Sequence, residues 1–205
     1  MNTTTEDTDE ARRSIGARRN PASQEAILDA AEAILREEGI AGFSIEAVAR
    51  RARAGKPTIY RWWPNRTTLM LDVYKRFKNA RTFPDTGTLR GDLVAFLENQ
   101  LLGFWKDRLC GTVYRAVIAE AQSDKDAAAA LYAYQAERKA VAVQMIDLAK
   151  ARGEVSAEVN GALIVDLIVS FAWHQLLLGR VAESMDGIEG VVDGILMGCA
   201  GYRRT

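Results

Sequence analysis

Histidine is almost missing from this chain. His174 is its one imidazole, and Cys110 and Cys199 are its two thiols. That scarcity argues against a histidine-based metal site or a histidine-rich catalytic centre. Two distant cysteines show neither a disulfide framework nor zinc-ligand spacing, so they read as structural thiols in a reduced, cytoplasmic compartment. No apolar run reaches the roughly 18 residues that a membrane-spanning helix needs. The first residues are acidic and polar, unlike a secretory leader. Strand-like alternation of period two is also missing over any useful length, and the chain is expected to be all-α, with about nine helices.

Net charge is the last thing the sequence lacks, because 27 Lys+Arg cancel 27 Asp+Glu. The cancellation hides a division. Residues 1–10 carry four acids and no base, residues 11–81 carry fifteen bases against seven acids, and residues 82–205 carry twelve bases against sixteen acids. The differences are −4, +8 and −4. A basic segment followed by an acidic one predicts that the first meets a polyanion and the second does not. The cations concentrate in residues 50–66, where Arg50, Arg51, Arg53, Lys56, Arg61 and Arg66 interleave with Tyr60, Trp62 and Trp63. Cations with aromatics between short helices are what binding to a nucleic-acid backbone requires.

Helix signals frame that stretch. Residues 1–20 have few apolar groups and are expected to be a disordered arm, with Arg18 and Arg19 placed to touch phosphates or a minor groove. Pro21 opens a first helix with an apolar stripe through Ala26, Ile27, Ala30, Ala31, Ile34 and Leu35, and Gly39 supplies a left-handed stop. Ser44 caps a short second helix whose Ile45, Val48 and Ala49 face inward. Gly55 and Pro57 start a third helix, which Pro64 ends. Asn65 caps a fourth, with Leu69, Val73 and Phe77 inward. Two short helices across a turn, braced by a first helix, make a helix-turn-helix unit.

The runs Gly42–Ala49 and Lys56–Arg66 give the chain a resemblance to the DNA-binding domain of the tetracycline-repressor (TetR) family, specific over residues 22–78. Two departures stand out: Arg53 occupies a turn position where the family usually has glycine, and Trp62-Trp63 replace a usual His or Tyr followed by Phe. Together with the residue chemistry, the resemblance implies DNA contacts by Ser44, Lys56, Pro57, Thr58, Tyr60, Arg61, Trp62 and Arg66. The third helix would lie in the major groove, and Arg66 would stand where the family has a phosphate-binding lysine. Ile59 and Trp63 are assigned to the core. Residues 1–20 thus form an arm, 21–81 the DNA-binding domain with its linking helix, and 82–205 an effector-binding and dimerisation domain.

In that second domain, Thr88 begins a helix with buried-face positions Leu89, Leu93, Phe96, Leu97, Gln100, Leu101 and Phe104, and Gly111 is read as a break. A further helix carries Val113 to Ala121, and a long one runs from about Asp126 to Arg152. Aromatic and polarizable residues mark a small-molecule pocket: Phe96, Gln100, Phe104, Trp105, Tyr114, Tyr134, Met145, Phe171, Trp173 and His174. The effector should be hydrophobic or aromatic. Residues of about 160–178 and 187–200 are apolar on nearly every face, which predicts burial against a second copy. Asp166 and His174 read as a satisfied polar pair. No catalytic set, metal site or cofactor is expected. The expected protein is a homodimeric regulator, a repressor released from a palindromic DNA operator by its effector. The alternative is an all-α ligand-binding or enzymatic bundle whose basic segment reads no DNA.

Overall fold

The computed structural model describes residues 21–78 and 83–201, the side chains of 199–201 excepted. The expected arm with Arg18 and Arg19, residues 79–82 and the Cys199 thiol lie outside the described residues. Within them every regular element is helical.

Helix α1 (Pro21–Glu37) buries Ile27, Ala30, Ala31, Ile34 and Leu35. Gly39 then takes φ 68°, a left-handed value that glycine adopts without Cβ strain, and one turn of helix, α2 (Gly39–Gly42), leads to buried Phe43. Ser44 caps α3 (Ile45–Ala52), its hydroxyl accepting from the Ala47 amide at 3.1 Å. The α3 chain closes at Arg53 with φ 52°, and α4 (Lys56–Trp62) follows from an extended Gly55 with Pro57 in its first turn. Asn65 caps α5 (Arg66–Lys78) by accepting from the Thr68 amide at 2.9 Å. Both assigned core residues are in place: Ile59 and Trp63 are buried, and the Trp63 indole donates to Asp72 at 2.8 Å. Phe77 is only half-buried, under the Arg36 guanidinium.

Thr88 caps α6 (Leu89–Ala95), which runs on through a π-helical segment, Phe96–Leu102, into α7 (Gly103–Lys106). The wide turn closes when the Gly103 amide donates to the Glu98 carbonyl. A Cβ on Gly103 would lie 2.4 Å from that oxygen, so the widened turn requires glycine there. Asp107 caps α8 (Arg108–Ala121), which packs against both α5 and α9 (Lys125–Ala151). The expected break at Gly111 is corrected: the turn falls at Asp107, and Gly111 is buried inside α8, where a Cβ would meet the Trp105 carbonyl at 2.6 Å. Asp124 caps α9, and Gly153 ends it with φ 76°. On α9 Leu148 is exposed, and Ala142, Ile146 and Ala149 fill the core.

Asn160 caps α10 (Gly161–Leu177), and a single 3-10 turn, Met185–Gly187, precedes α11 (Ile188–Gly201). The start of α6 is pinned to the end of α9. Asp92, fully buried, accepts from the Thr86 amide at 2.6 Å and faces Arg152 at 3.5 Å, while Glu154 accepts from the Leu89 amide at 2.6 Å. That bond and the Arg152 guanidinium hold the Glu154 carboxyl below its ordinary range. Buried apolar residues from α1 to α11 join into one cluster, so the helix-turn-helix unit and the bundle share a core through α5 and α8.

Candidate nucleic-acid interface and ligand cavity

The α3–turn–α4 unit leaves one face of α4 in solvent. Ile59 points into the core, whereas Lys56, Pro57, Tyr60 and Arg61 are exposed and Thr58 and Trp62 are half-buried. Trp62 lies 6.2 Å from Trp63, tilted by 36°, so its ring is braced by a fixed neighbour. Ser44 spends its hydroxyl oxygen on the cap of α3. Lys56 pairs with Glu46 at 2.6 Å, an arrangement that holds the Glu46 carboxyl below its ordinary range and raises the Lys56 ammonium. Both partners are about half exposed, and such a pair is worth little in water. A phosphate can displace the carboxylate. Arg51 is tied back by Glu37 through two bonds of 2.6 Å, while Arg50 and Arg53 are exposed beside the turn.

Arg66 is placed differently from the other cations. Its guanidinium reaches back to Glu120 of α8 at 2.9 Å, and Thr67 donates to the same carboxylate. The Arg66 Nε is buried without a hydrogen-bond partner. Asn65 adds a contact to Asp124 at 3.2 Å. The first turn of α5 is therefore clasped to the α8–α9 corner, and Arg66 belongs to that clasp in this arrangement.

A second site lies between α5, α7, α8, α9 and α10. It is a cavity of about 270 Å³ walled by aromatic rings. Tyr114 is central: it stacks on Tyr74 at 4.6 Å and on Trp105 at 5.4 Å, and meets the edge of Trp173 at 5.8 Å. The Trp105 indole donates to the Tyr74 hydroxyl at 2.8 Å, and Gln135 donates to the Tyr114 hydroxyl. Burial pushes the Tyr74 and Tyr114 phenols well above their ordinary range, and burial raises Tyr134 to about 12 against the opposing pull of Arg138. The Tyr74 and Tyr134 hydroxyls are near enough to affect each other's ionisation. Even so, the Tyr134 oxygen has no well-aligned hydrogen-bond partner among the described residues.

Five of the expected pocket residues line this cavity: Phe96, Trp105, Tyr114, Tyr134 and Trp173. Phe104 stands behind the wall, edge-on to Tyr74 at 5.5 Å. Gln100 is buried on the π-helical segment and Met145 deep on α9, neither on the wall, and Phe171 is half-buried on α10 away from it. His174 is exposed, and the expected Asp166–His174 pair is not formed. Eight helical residues separate them by about 12 Å along the axis and by roughly 80° around it, too far for contact. Asp166 pairs instead with Lys139 at 2.5 Å, on the cavity rim.

Tyr74, Lys78, Gln135 and Arg138 also line the cavity and were not among the expected residues. A signal existed for two of them. Leu71, Tyr74 and Lys78 follow i, i+3, i+7 spacing, so they share one face of α5, and all three are buried. A lysine continuing an apolar stripe is the unusual feature that the sequence offered. Nothing in spacing or composition marks Arg138 or Gln135.

Comparison with known proteins bears on both sites. Residues 27–73 match the family model described as bacterial regulatory proteins, tetR family, and residues 83–195 match tetracyclin repressor-like, C-terminal domain. The DNA-binding transcriptional repressor TetR of Mycobacteroides abscessus is 32% identical over 177 residues, covering 84% of this chain and 90% of its own. The HTH-type transcriptional regulator YdeS of Bacillus subtilis is 29% identical, covering 80% of this chain and 82% of its own. Among solved structures, TetR family transcription regulator SCO0332 superposes with a TM-score of 0.69 at 29% identity, over 84% of this chain and 97% of that one. Bacillus subtilis FadR, solved with stearoyl-CoA, shares the fold at a TM-score of 0.58 and 14% identity, over 88% of this chain and all of its own.

Proposed function

Because the chain belongs to the tetracycline-repressor family of DNA-binding transcriptional regulators, we propose that α4 reads an operator while the aromatic cavity receives the effector that releases it. A regulator of this family is not an enzyme. Among the described residues no helix is long and apolar enough to cross a membrane. We take the site of action to be the cytoplasm.

One observation carries the proposal. Helix α5 begins beside α4 and ends in the cavity wall, with Tyr74 and Lys78 both buried there. A molecule that changes how those two side chains pack must push on the same rod that sets the position of the reading helix. Ligand and DNA then disfavour each other by equal factors, and a hundredfold weakening asks for about 2.7 kcal/mol of differential affinity. Lys56, Tyr60 and Arg61 supply the exposed contacts of α4. Arg61 is the residue suited to a guanine edge, and Thr58, Trp62 and the capped N-terminus of α3 at Ser44 are suited to phosphates.

A homodimer would present two copies of α4 to a palindromic site. Its interface is α10 with α11, where Leu163, Leu167, Leu177, Leu178 and Met197 are 46–71% exposed in the single chain. Apolar side chains left on one face at that density mark an association surface.

Selection of bound sequences from random DNA, followed by titration of the selected duplex, tests the DNA proposal. Affinity should fall by roughly 10³ or more between 50 and 200 mM salt. Arg61→Ala should relax base preference at one position per half-site, at a cost of about 1–3 kcal/mol. A flat salt response, or selection of no common sequence, removes α4 as the reader.

A further inference from the structure

A second depression lies where the start of α8 meets the end of α10, and it does not rest on the reading of the aromatic cavity. It encloses about 290 Å³, and its floor is apolar, with Trp105, Leu176 and Val181 buried beneath it. Gly111 keeps the floor low, because a Cβ there would lie 2.6 Å from the Trp105 carbonyl. The rim is basic. Lys106, Arg108 and Arg115 line it, all three exposed, and no acid does.

That composition runs against its surroundings. Residues 82–205 carry twelve bases against sixteen acids, and Arg90, Lys139, Lys150, Arg152 and Arg180 each pair with a carboxylate. Among the described residues no carboxylate pairs with Lys106, Arg108 or Arg115. The sequence of α8 shows why for the two arginines. Arg108, Gly111, Thr112 and Arg115 follow i, i+3, i+4, i+7 spacing and share one face. Within α8, the positions three and four residues from either arginine are Gly111, Thr112, Ile118 and Ala119, none of them acidic. The two arginines stand about 10.5 Å apart along the axis, roughly one Debye length at 0.1 M salt, so an anion between them relieves a mutual repulsion. Arg115 already leans across the depression. Its Nη2 donates to the Thr112 hydroxyl at 3.5 Å, a long and easily exchanged bond, and its Nη1 would lie 3.9 Å from a Cβ on Gly179.

We propose that this depression binds a small phosphate monoester, its dianion gripped by Arg108 and Arg115 and its apolar remainder laid on Leu176 and Val181. The planar fork of a guanidinium matches a pair of phosphate oxygens, and Lys106 adds a point charge. The half-buried Thr112 hydroxyl is a further donor. The phosphates of DNA are a poorer match in position. Arg108 is twelve residues from Glu120, about 18 Å along α8, and Glu120 is the residue that holds the α4 end of α5. The depression therefore sits at the end of α8 remote from the reading helix.

Calorimetric titration of the full chain with phenyl phosphate, inorganic phosphate and neutral benzyl alcohol tests this. Phenyl phosphate should bind with a Kd below about 1 mM at low salt. Inorganic phosphate, which lacks the apolar part, should bind more weakly, and benzyl alcohol at least about tenfold more weakly, as loss of a charge-assisted contact requires. Arg108→Gln and Arg115→Gln should each weaken phenyl phosphate about tenfold. Both side chains are exposed, so neither change threatens the fold. Ala182→Trp, on the exposed edge of the depression, should abolish binding by filling it. Val169→Trp, which fills the aromatic cavity instead, should leave phenyl phosphate unchanged. Co-sedimentation with phosphatidylcholine vesicles containing phosphatidate separates the sources. Retention that Arg108→Gln removes names a lipid headgroup, and no retention names a soluble ester.

A Kd above about 1 mM for phenyl phosphate overturns the site, as does equal affinity for benzyl alcohol or an affinity unchanged in both glutamine variants. Loss of phenyl phosphate binding in Val169→Trp moves the ester to the aromatic cavity, which overturns the second site and leaves the effector reading standing. A shallower salt dependence of operator binding in Arg108→Gln would make that residue a DNA contact and overturn the small ester as its ligand.

Discussion

At the scale of single residues, the turn between α3 and α4 hinges on Arg53. With φ 52° it is the one described non-glycine residue in left-handed backbone. That conformation costs an L-residue with a Cβ roughly 1–2 kcal/mol. Its exposed cation stands beside the reading helix. Arg53→Gly should therefore raise stability by about 1 kcal/mol in urea unfolding, and at the same time weaken DNA binding and lower the salt slope by about one per half-site. Loss of stability on that substitution would show that the side chain, and not the backbone, holds the turn. The buried phenols give a second handle. Unfolded tyrosines ionise near pH 10, whereas Tyr74 and Tyr114 are raised well above that value and Tyr134 to about 12. Between pH 10 and 12 the unfolded chain gives up protons that the folded chain keeps. Stability must fall as pH rises through that window. A thermal-unfolding series should show this decline, and Tyr134→Phe should make it shallower. An unchanged slope in that variant would place Tyr134 outside the linkage.

At the scale of elements, α5 is the connecting rod, and its two ends are held by different chemistry. The cavity end is aromatic and nearly dry. The α4 end is clasped by Glu120, which accepts from Thr67 and pairs with Arg66. Such partly exposed pairs are weak individually, about 0.2–1 kcal/mol, which suits a contact meant to be exchanged. Glu120→Gln should cost about that much in stability. Freed from the carboxylate, Arg66 should reach a phosphate, raising operator affinity at low salt and steepening the salt slope by about one per protomer. If the slope does not change, Arg66 is a structural residue and no part of the DNA contact. The clasp was invisible in the sequence because it joins positions more than fifty residues apart. The sequence showed Arg66 as the last cation of the basic run and, through the family resemblance, as a phosphate contact.

At the scale of the whole molecule, the unresolved balance is apolar. Helix α10 keeps Leu163, Leu167 and Leu177 in solvent, and α11 keeps Met197 71% exposed. Leu167→Glu, at the middle of the α10 face, should convert the proposed dimer to monomer in light scattering and abolish binding to a two-half-site duplex. Binding to a single half-site should persist, weakly. A wild-type chain that is already monomeric at micromolar concentration would remove α10 and α11 as the interface. The exposed strip was legible beforehand because α10 has Asp166 as its one acidic or basic charge. With apolar residues all round it, α10 covers the core on one side and leaves an apolar strip on the other, the face proposed for the dimer.

The sequence by itself determined what depends on near neighbours. Periodicity set the helices, and local caps set their ends at Ser44 and Asn65. Each of these rests on contacts within a few residues, so a linear pattern records them. Only the tertiary structure decided which aromatic rings face a common void, that Lys78 is caged among three of them, that Asp166 turns to Lys139, and that Arg66 is clasped by Glu120. Those contacts join separate helices. Helix rotation and axial offset choose the partners, and both are set by how whole faces pack.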